Sequence, residues 1–145
     1  MDEKTFNKCK DQGLRFLVLR EHNRKELEMK IINKGYEKSL VEDVLNSLEE
    51  EGSLSEERYC EVFIRSNNKK HPEGKSLMLQ RLLSKGANKE VAVKVVEENY
   101  TRDYVTSLVN KGRESLIKKG KGSNEDEIRL GLRKAGFTSS DMREI

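Results

Sequence analysis

The sequence predicts an all-α fold, a tandem repeat of three three-helix modules that form one curved, elongated, solenoid-like domain. Two observations support this prediction. Of the 145 residues, 38% are charged and only one is proline, a composition typical of helices that are solvated on one side. A helix-turn-helix pattern also recurs around three glycines that lie 51 and 50 residues apart, Gly35, Gly86 and Gly136. A fixed period of this length is typical of a repeat array.

Each module is predicted to begin with a helix. Apolar residues at helical spacing place these three helices at about 5–20, 55–69 and 102–119. Ser53 and Glu56 have the spacing of a capping box, in which each side chain binds the other residue's backbone N–H. They therefore predict the start of the first helix of the second module.

The second helix of each module is predicted to end at its glycine. Apolar residues eight and four positions before each glycine share one helix face; they are Leu27 and Ile31, Met78 and Leu82, and Ile128 and Leu132. Asn23 with Glu26 forms a capping-box pattern at the start of the first of these helices. Glycine suits the position after a helix, because the left-handed conformation there is strained for any residue with a Cβ atom.

A third helix is predicted after each glycine. Apolar residues follow the glycines by six and nine positions, at Val41 and Val44, Ala92 and Val95, and Met142 and Ile145. Asn88 is a good N-cap residue, whereas Glu37 is a poorer one. Thr138 with Asp141 resembles a capping box. Only nine residues follow Gly136, so we expect the last helix to be about two turns long.

The predicted modules span 1–52, 53–100 and 101–145. Short joints between them favour packing of each module on the next. A chain of this length with 34% apolar residues can bury one continuous core. The second module has Leu79 and Leu83 where the third has arginines, so we expect that face of the second module to be buried between its neighbours.

Net charge increases along the chain. The segment 1–52 has 10 basic and 12 acidic side chains, 53–100 has 9 and 7, and 101–145 has 10 and 7. This gradient favours an anionic partner for the later two segments. No apolar run approaches the roughly 20 residues that span a membrane, and the N-terminal stretch lacks the apolar core of a signal peptide. We therefore expect a cytoplasmic protein without membrane contact.

The sequence offers no recognisable catalytic or metal-binding motif. The two cysteines, Cys9 and Cys60, are too few for a disulfide framework, and His22 and His71 have no neighbouring ligand pair. A phosphate-binding loop and a G-x-S-x-G motif are absent from the sequence. We therefore expect a protein that is not an enzyme and that has no cofactor, metal ion or catalytic residue.

Three stretches resemble motifs of the bacterial RecX regulatory proteins. The first has Glu26, Leu27, Lys30, Ile31, Lys34, Gly35 and Tyr36, the second has Leu54, Glu57, Arg58, Tyr59, Phe63 and Arg65, and the third has Gly74, Leu77, Leu82, Lys85 and Gly86. Arg81 departs from the acidic residue that is usual in the family at that position. The resemblance covers nearly the whole chain.

The resemblance implies a protein of tandem three-helix repeats that regulates RecA, the recombinase that forms filaments on DNA. Members of this family are generally inhibitors and not enzymes. They limit filament growth and reduce strand exchange, ATP hydrolysis and coprotease activity. The partner implied is thus the RecA filament, with DNA contacted inside the filament and bound weakly or moderately alone. We expect the chain itself to be a monomer.

Basic side chains at helical spacing suit the phosphates of DNA in such a filament. The candidates for RecA or DNA binding are Lys30, Lys34, Lys69, Lys70, Lys75, Arg81, Lys85, Arg129, Arg133 and Lys134. Replacing Arg81 and Lys85 by Glu is expected to weaken inhibition without changing thermal unfolding. Three alternatives stay open. The stripes are only solvated helix faces, or the chain is a free-standing DNA-binding module that acts without RecA, as helix-turn-helix proteins do, or it is a helical adaptor scaffold with another partner.

Overall fold

The computed structural model describes residues 2–143 and contains eight α-helices over that range. They are α1 (Glu3–Leu19), α2 (Arg24–Ile32), α3 (Lys38–Glu50), α4 (Glu56–Lys70), α5 (Lys75–Ser84), α6 (Lys89–Asn99), α7 (Arg102–Lys118) and α8 (Glu125–Lys134). These described residues contain no strand. The predicted all-α fold is therefore confirmed. Below, the first module means α1 to α3, the second α4 to α6, and the third α7, α8 and the turns after them.

The first module has a core of its own. Helices α1, α2 and α3 pack on one another and bury one cluster of apolar side chains: Cys9, Leu27, Ile31, Leu40, Val41, Val44, Leu45, Leu48 and Leu54. The predicted capping box is present at the start of α2, because Asn23 accepts a hydrogen bond from the Glu26 N–H and Glu26 accepts one from the Asn23 N–H. Glu37 caps α3 without a side-chain hydrogen bond, as expected for a poorer cap.

The second and third modules share a single core. Helices α4, α5 and α6 pack together, α7 packs on α8, and residues from all five enter one apolar cluster. It includes Cys60, Ile64, Met78, Leu82, Val95, Val109, Leu132 and Met142. Within residues 2–143 the apolar interior therefore consists of two clusters, although a chain of this length can bury a single continuous core. One apolar cluster therefore extends across the second junction, whereas the first junction lies between the two clusters.

The three glycine turns have the predicted backbone conformation. Gly35, Gly86 and Gly136 have φ angles of 98°, 97° and 91°, the left-handed region that residues with a Cβ atom rarely occupy. After Gly86 and Gly136, the next N–H reaches back to the carbonyl oxygens of Leu82 and Leu132 at 3.1 and 3.0 Å. These are the hydrogen bonds of a Schellman motif, which ends α5 and α8.

Two local expectations were wrong. Ser53 does not cap α4: its hydroxyl donates to Glu51 Oε1, and Ser55 accepts the capping hydrogen bond from the Arg58 N–H. In the second module, Leu83 is 36% exposed, so this residue is not buried between neighbouring modules. Leu79 is partly buried against the shared core.

The chain after Gly136 forms turns over 139–143, where we expected a short helix. The predicted capping pair is nevertheless formed, since Thr138 N–H donates to Asp141 Oδ2 at 2.9 Å and Asp141 N–H donates to Thr138 Oγ1 at 3.1 Å. Met142 is fully buried, as its spacing predicts. Ile145 lies outside the described residues.

Both junctions between modules use the carbonyl group that precedes a turn glycine. The Asn23 side chain donates from Nδ2 to the Lys85 carbonyl oxygen at 3.1 Å. One module later, the Gly74 N–H donates to the Ala135 carbonyl oxygen at 2.8 Å. Asn23 and Gly74 are the N-cap residues of α2 and α5. The start of α2 therefore docks on the glycine turn of the second module, and the start of α5 docks on that of the third.

Candidate functional site

The described residues offer neither a metal site nor a membrane helix. Within 2–143, no group of three or more His, Cys, Asp and Glu side chains could hold a metal ion, and no helix is long and apolar enough to cross a membrane. A surface depression of about 810 Å³ lies between the first and second modules. Its charged lining residues are Arg24, Lys25, Arg58 and Lys94 together with Glu28, Glu49, Glu56 and Glu57. Because these charges balance, the depression has no preference for an anion.

Lys30 and Lys34, the predicted stripe of the first module, both reach toward the Phe16 ring. Their Nζ atoms lie 5.4 and 6.0 Å from the ring centroid, within the range of a cation–π contact. Lys30 is only partly exposed and its Nζ is 2.8 Å from His22 Nε2. Lys34 is exposed. Of the two lysines, Lys34 is therefore the more accessible to a binding partner.

His22 is held in one tautomer by these neighbours. An ammonium group only donates hydrogen bonds, so Nε2 of His22 accepts from Lys30 and the proton is on Nδ1, which is 3.0 Å from the Arg20 carbonyl oxygen. Burial, with the nearby charges of Arg20 and Lys30, lowers the pKa of the imidazole. The ring is therefore neutral and is part of the joint between α1 and α2.

Arg81 is bound within the molecule. Its guanidinium contacts both carboxylate oxygens of Glu73, each at 2.5 Å, and the Glu73 side chain is almost fully buried. Glu73 Oε1 also accepts from Asn67 at 2.6 Å. The sequence pattern treats Arg81 as a surface cation, but here it neutralises a buried carboxylate. We therefore expect Arg81→Glu to lower stability, contrary to the expectation from sequence.

Lys85 lies in a more open setting. Its side chain lines a groove of about 430 Å³ between the start of α2 and the outward face of α4, together with Arg20, Glu21, Glu26, Tyr59, Val62, Phe63 and Ser66. Both acidic residues of this groove are paired, Glu26 with Arg20 at 3.0 Å and Glu21 with Arg58 at 2.6 Å. The charge of Lys85 is therefore not neutralised by a groove carboxylate.

The outward face of α4 extends this groove toward the third module. Val62, Arg65, Ser66 and Lys69 are exposed and lie on one side of the helix. At the far end, Lys111 of α7 donates from Nζ to the Lys69 carbonyl oxygen at 3.1 Å. We call the cations along this face the α4 surface; they are Arg65, Lys69, Lys70, Lys85 and Lys111. Within residues 2–143, none of these five cations forms an ion pair.

The remaining candidates lie apart from the α4 surface. Lys75 is paired with Glu97 at 2.5 Å, and both side chains are exposed. In the third module, Arg129, Arg133 and Lys134 are exposed on α8, and Arg133 donates to Ser139 at 3.0 Å. The ten candidates therefore do not form one continuous stripe.

Comparison with known proteins identifies the family. No protein-family model matches the chain. The sequence is 31% identical over 147 residues to the regulatory protein RecX of Chlorobium limicola, an alignment that covers 99% of this chain and 91% of the relative. The chain belongs to the RecX family of regulatory proteins. A second RecX, from Halorhodospira halophila, is 38% identical over 61% of this chain and 55% of its own length.

Solved RecX structures have the same fold. The crystal structure of RecX from Lactobacillus salivarius superposes with a TM-score of 0.80 at 18% identity, covering 95% of this chain and 92% of that one. A second crystal structure of regulatory protein RecX gives a TM-score of 0.79 at 19% identity, over 100% and 79% of the two chains. At such identities the likeness supports the fold alone.

The RecX-like motif at the first junction has a structural role in this chain. Arg58 donates from Nε to Glu21 at 2.6 Å and from its two terminal nitrogens to the carbonyl oxygens of Gly52 and Ser53 at 3.1 and 3.0 Å. Leu54 is 2% exposed in the first core. The motif therefore ties the end of α3, the loop before α2 and the start of α4 together.

Sequence reasoning omitted two cations of the α4 surface. Arg65, which belongs to a RecX-like motif, lies four residues before Lys69 and thus on the same helix side. That spacing was a usable signal. Lys111 has no such local signal, because the packing of the second module against α7 brings it to Lys69.

Proposed function

We propose that this RecX-family protein binds the RecA filament on DNA and inhibits its recombinase, ATPase and coprotease activities. Membership of the family supports a regulatory role, and the match to the Chlorobium limicola RecX along 99% of the chain is the observation that carries the proposal. The protein acts by binding, without catalysis, as a cytoplasmic monomer.

The α4 surface is the proposed contact with DNA phosphates inside the filament. Its cations are exposed and are spread along α4 between the first junction and the start of the third module. Each phosphate contact releases counterions, so binding through this surface weakens as salt increases. Lys34 and the α8 cations extend the contact at either end of the molecule.

The direct test is ATP turnover by RecA on single-stranded DNA. Turnover should slow when the protein is added at amounts well below those of RecA, because one bound molecule blocks extension of a filament. Unchanged turnover and unchanged filament length across the titration would contradict the proposal. Tight, salt-dependent binding to DNA alone, without any effect on RecA, would instead support a free-standing DNA-binding module.

Charge reversal tests the α4 surface. Combining Lys69→Glu with Lys85→Glu should raise the concentration needed for half-inhibition of RecA by about tenfold, since two attractions become repulsions. The matched control combines Lys38→Glu with Lys89→Glu, two exposed lysines at the starts of α3 and α6. The control changes net charge equally and should inhibit like the parent protein. Equal inhibition by both double variants would exclude the α4 surface.

A further inference from the structure

The glycine turns of the second and third modules are covered surfaces. On the second, the Asn23 side chain donates to the Lys85 carbonyl oxygen, and Lys25 lies over Gly86, where a Cβ atom would be 3.3 Å from Lys25 Cδ. The backbone N–H of Arg24 also donates to Glu56 at 2.5 Å. The first turn of α2 thus docks there through an N-cap donor and a basic residue.

The turn of the third module is covered in the same way by the first turn of α5. The Gly74 N–H donates to the Ala135 carbonyl oxygen at 2.8 Å. A Cβ atom on Gly136 would lie 2.8 Å from the Cβ of Leu77, so the two segments are in close contact. This helix also begins with a basic residue, Lys75. The same mode of docking therefore occurs twice in the molecule.

In the described part of the chain, no segment covers the corresponding surface of the first module. No hydrogen bond reaches the Lys34 carbonyl oxygen there, and a Cβ atom on Gly35 would meet nothing within 4 Å. A depression of about 300 Å³ lies at this turn, lined by Asp2, Thr5, Gly35, Tyr36, Glu37 and Leu40. We call it the Gly35 surface. At the 51-residue repeat, Thr5, Gly35, Glu37 and Leu40 correspond to Glu56, Gly86, Asn88 and Val91. These four residues line one depression together with Arg24 and Lys25 from the start of α2.

We propose that the Gly35 surface docks the first turn of a helix from a partner protein, a turn that begins with an N–H donor and continues with basic side chains. The donor would bind the Lys34 carbonyl oxygen, as Asn23 binds that of Lys85. The charged side chains that line the surface, Asp2 and Glu37, are both acidic. They complement a basic first turn like Arg24 and Lys25 of α2.

A second copy of this chain fits the Gly35 surface poorly. The second helix of its third module, α8, is the one whose first turn does not already dock on a following module. After its N-cap Asn124, that turn consists of three acidic residues, Glu125, Asp126 and Glu127. These carboxylates would face Asp2 and Glu37, and like charges across an interface oppose association. Such head-to-tail contacts would otherwise build an open-ended filament. Charge therefore favours a different protein as the occupant.

The probe is a peptide with the sequence of 21–33 of this chain, which contains the first turn of α2. Added to isotope-labelled full-length protein, it should shift the backbone NMR signals of Thr5, Gly35, Tyr36 and Glu37. The second module's surface stays occupied by its own α2, which is held there at a high effective concentration. Binding will be weak, since a helix this short is marginal in water. A peptide carrying Arg24→Glu and Lys25→Glu should shift none of these signals.

Protein variants complete the test. Glu37→Lys should weaken peptide binding about tenfold without affecting the fold, because Glu37 makes no side-chain capping bond. Glu42 is an exposed residue of α3, the helix that Glu37 precedes. Glu42→Lys changes the net charge by the same amount and should leave peptide binding unchanged. Shifts by both peptides, or by neither, would overturn the proposal. So would concentration-dependent self-association in sedimentation velocity that Glu37→Lys abolishes. No RecA is present, so the result is independent of the function proposed above.

Discussion

Buried polar residues define both junctions between modules. Among residues 2–143, four polar side chains are almost fully buried. Asn23 lies at the first junction, Asn68 and Glu73 lie at the second, and His22 lies between α1 and α2. Asn68 donates to the hydroxyl oxygens of Tyr100 and Tyr104 at 3.0 and 2.9 Å. No buried side-chain nitrogen or oxygen in 2–143 lacks a hydrogen-bond partner. Since an unpaired buried polar group is costly, these networks fix the relative positions of the helices they join.

His22 makes the stability of the first module depend on pH. Its pKa is lowered in the folded protein, mainly by burial, whereas the unfolded chain has the usual value of about 6.5. The stability that His22 contributes is therefore complete above about pH 6.5 and is lost as the pH falls toward the folded-state pKa. Protonation would also place a cation against Lys30 and Arg20.

Urea unfolding at about pH 7.5 and about pH 5.5 checks this prediction. The parent protein should lose more stability between the two conditions than His22→Gln, which stays neutral and keeps a donor and an acceptor. Glu26, the nearest carboxylate, is present in both proteins, so the difference isolates the imidazole. Parallel pH profiles for the two proteins would contradict the prediction, because they would mean that the pKa of His22 is the same in the folded and unfolded protein.

At the scale of helices, caps with the same residue type have different surroundings. Asn23 and Asn88 both accept the capping hydrogen bond, at 2.9 and 3.1 Å. Asn23 is fully buried and also donates to Lys85, whereas Asn88 is exposed. We expect Asn88→Ala to lower the free energy of unfolding by about 1 kcal/mol. Asn23→Ala should lower it by about 2–3 kcal/mol, because the hydrogen bond from the buried Asn23 side chain to the Lys85 carbonyl oxygen is lost as well.

Denaturant titration of the two variants separates these effects. The capping term is common to both, so the excess loss in Asn23→Ala measures the contact across the junction. Equal losses would mean that water replaces the Asn23 donor at no cost. The prediction concerns stability alone and requires no partner.

Local signals explain why most helices could be predicted from the sequence. The helices predicted at 55–69 and 102–119 are observed at Glu56–Lys70 and Arg102–Lys118. The bounds agree closely because apolar periodicity, capping residues and turn glycines act on the backbone within a few residues. The candidate site was less predictable. The buried Glu73 that binds Arg81 and the Phe16 ring beside Lys30 are neighbours created by tertiary packing. Spacing places a cation on a helix face but does not reveal which carboxylate or ring faces it.

At the scale of the whole molecule, the second junction is a close contact between backbones. A Cβ atom on Gly74 would lie 2.0 Å from the Gly136 carbonyl oxygen and 2.9 Å from the Phe137 nitrogen. Only glycine permits this approach, because backbone atoms cannot move aside as the end of a side chain can. The second and third modules share one core, so separating them at Gly74 also disturbs that core.

Gly74→Ala should therefore destabilise the protein by more than about 3 kcal/mol, a loss typical of severe overpacking. Gly35→Ala is the matched control: it changes a turn glycine with φ of 98° but meets no atom within 4 Å, so only the backbone strain of about 1 kcal/mol remains. In hydrogen exchange, Gly74→Ala should reduce protection in α5 to α8 more than in α1 to α3, because the first module has a separate core. Equal loss in all helices would mean that the two cores unfold as one unit, with the first junction transmitting the damage.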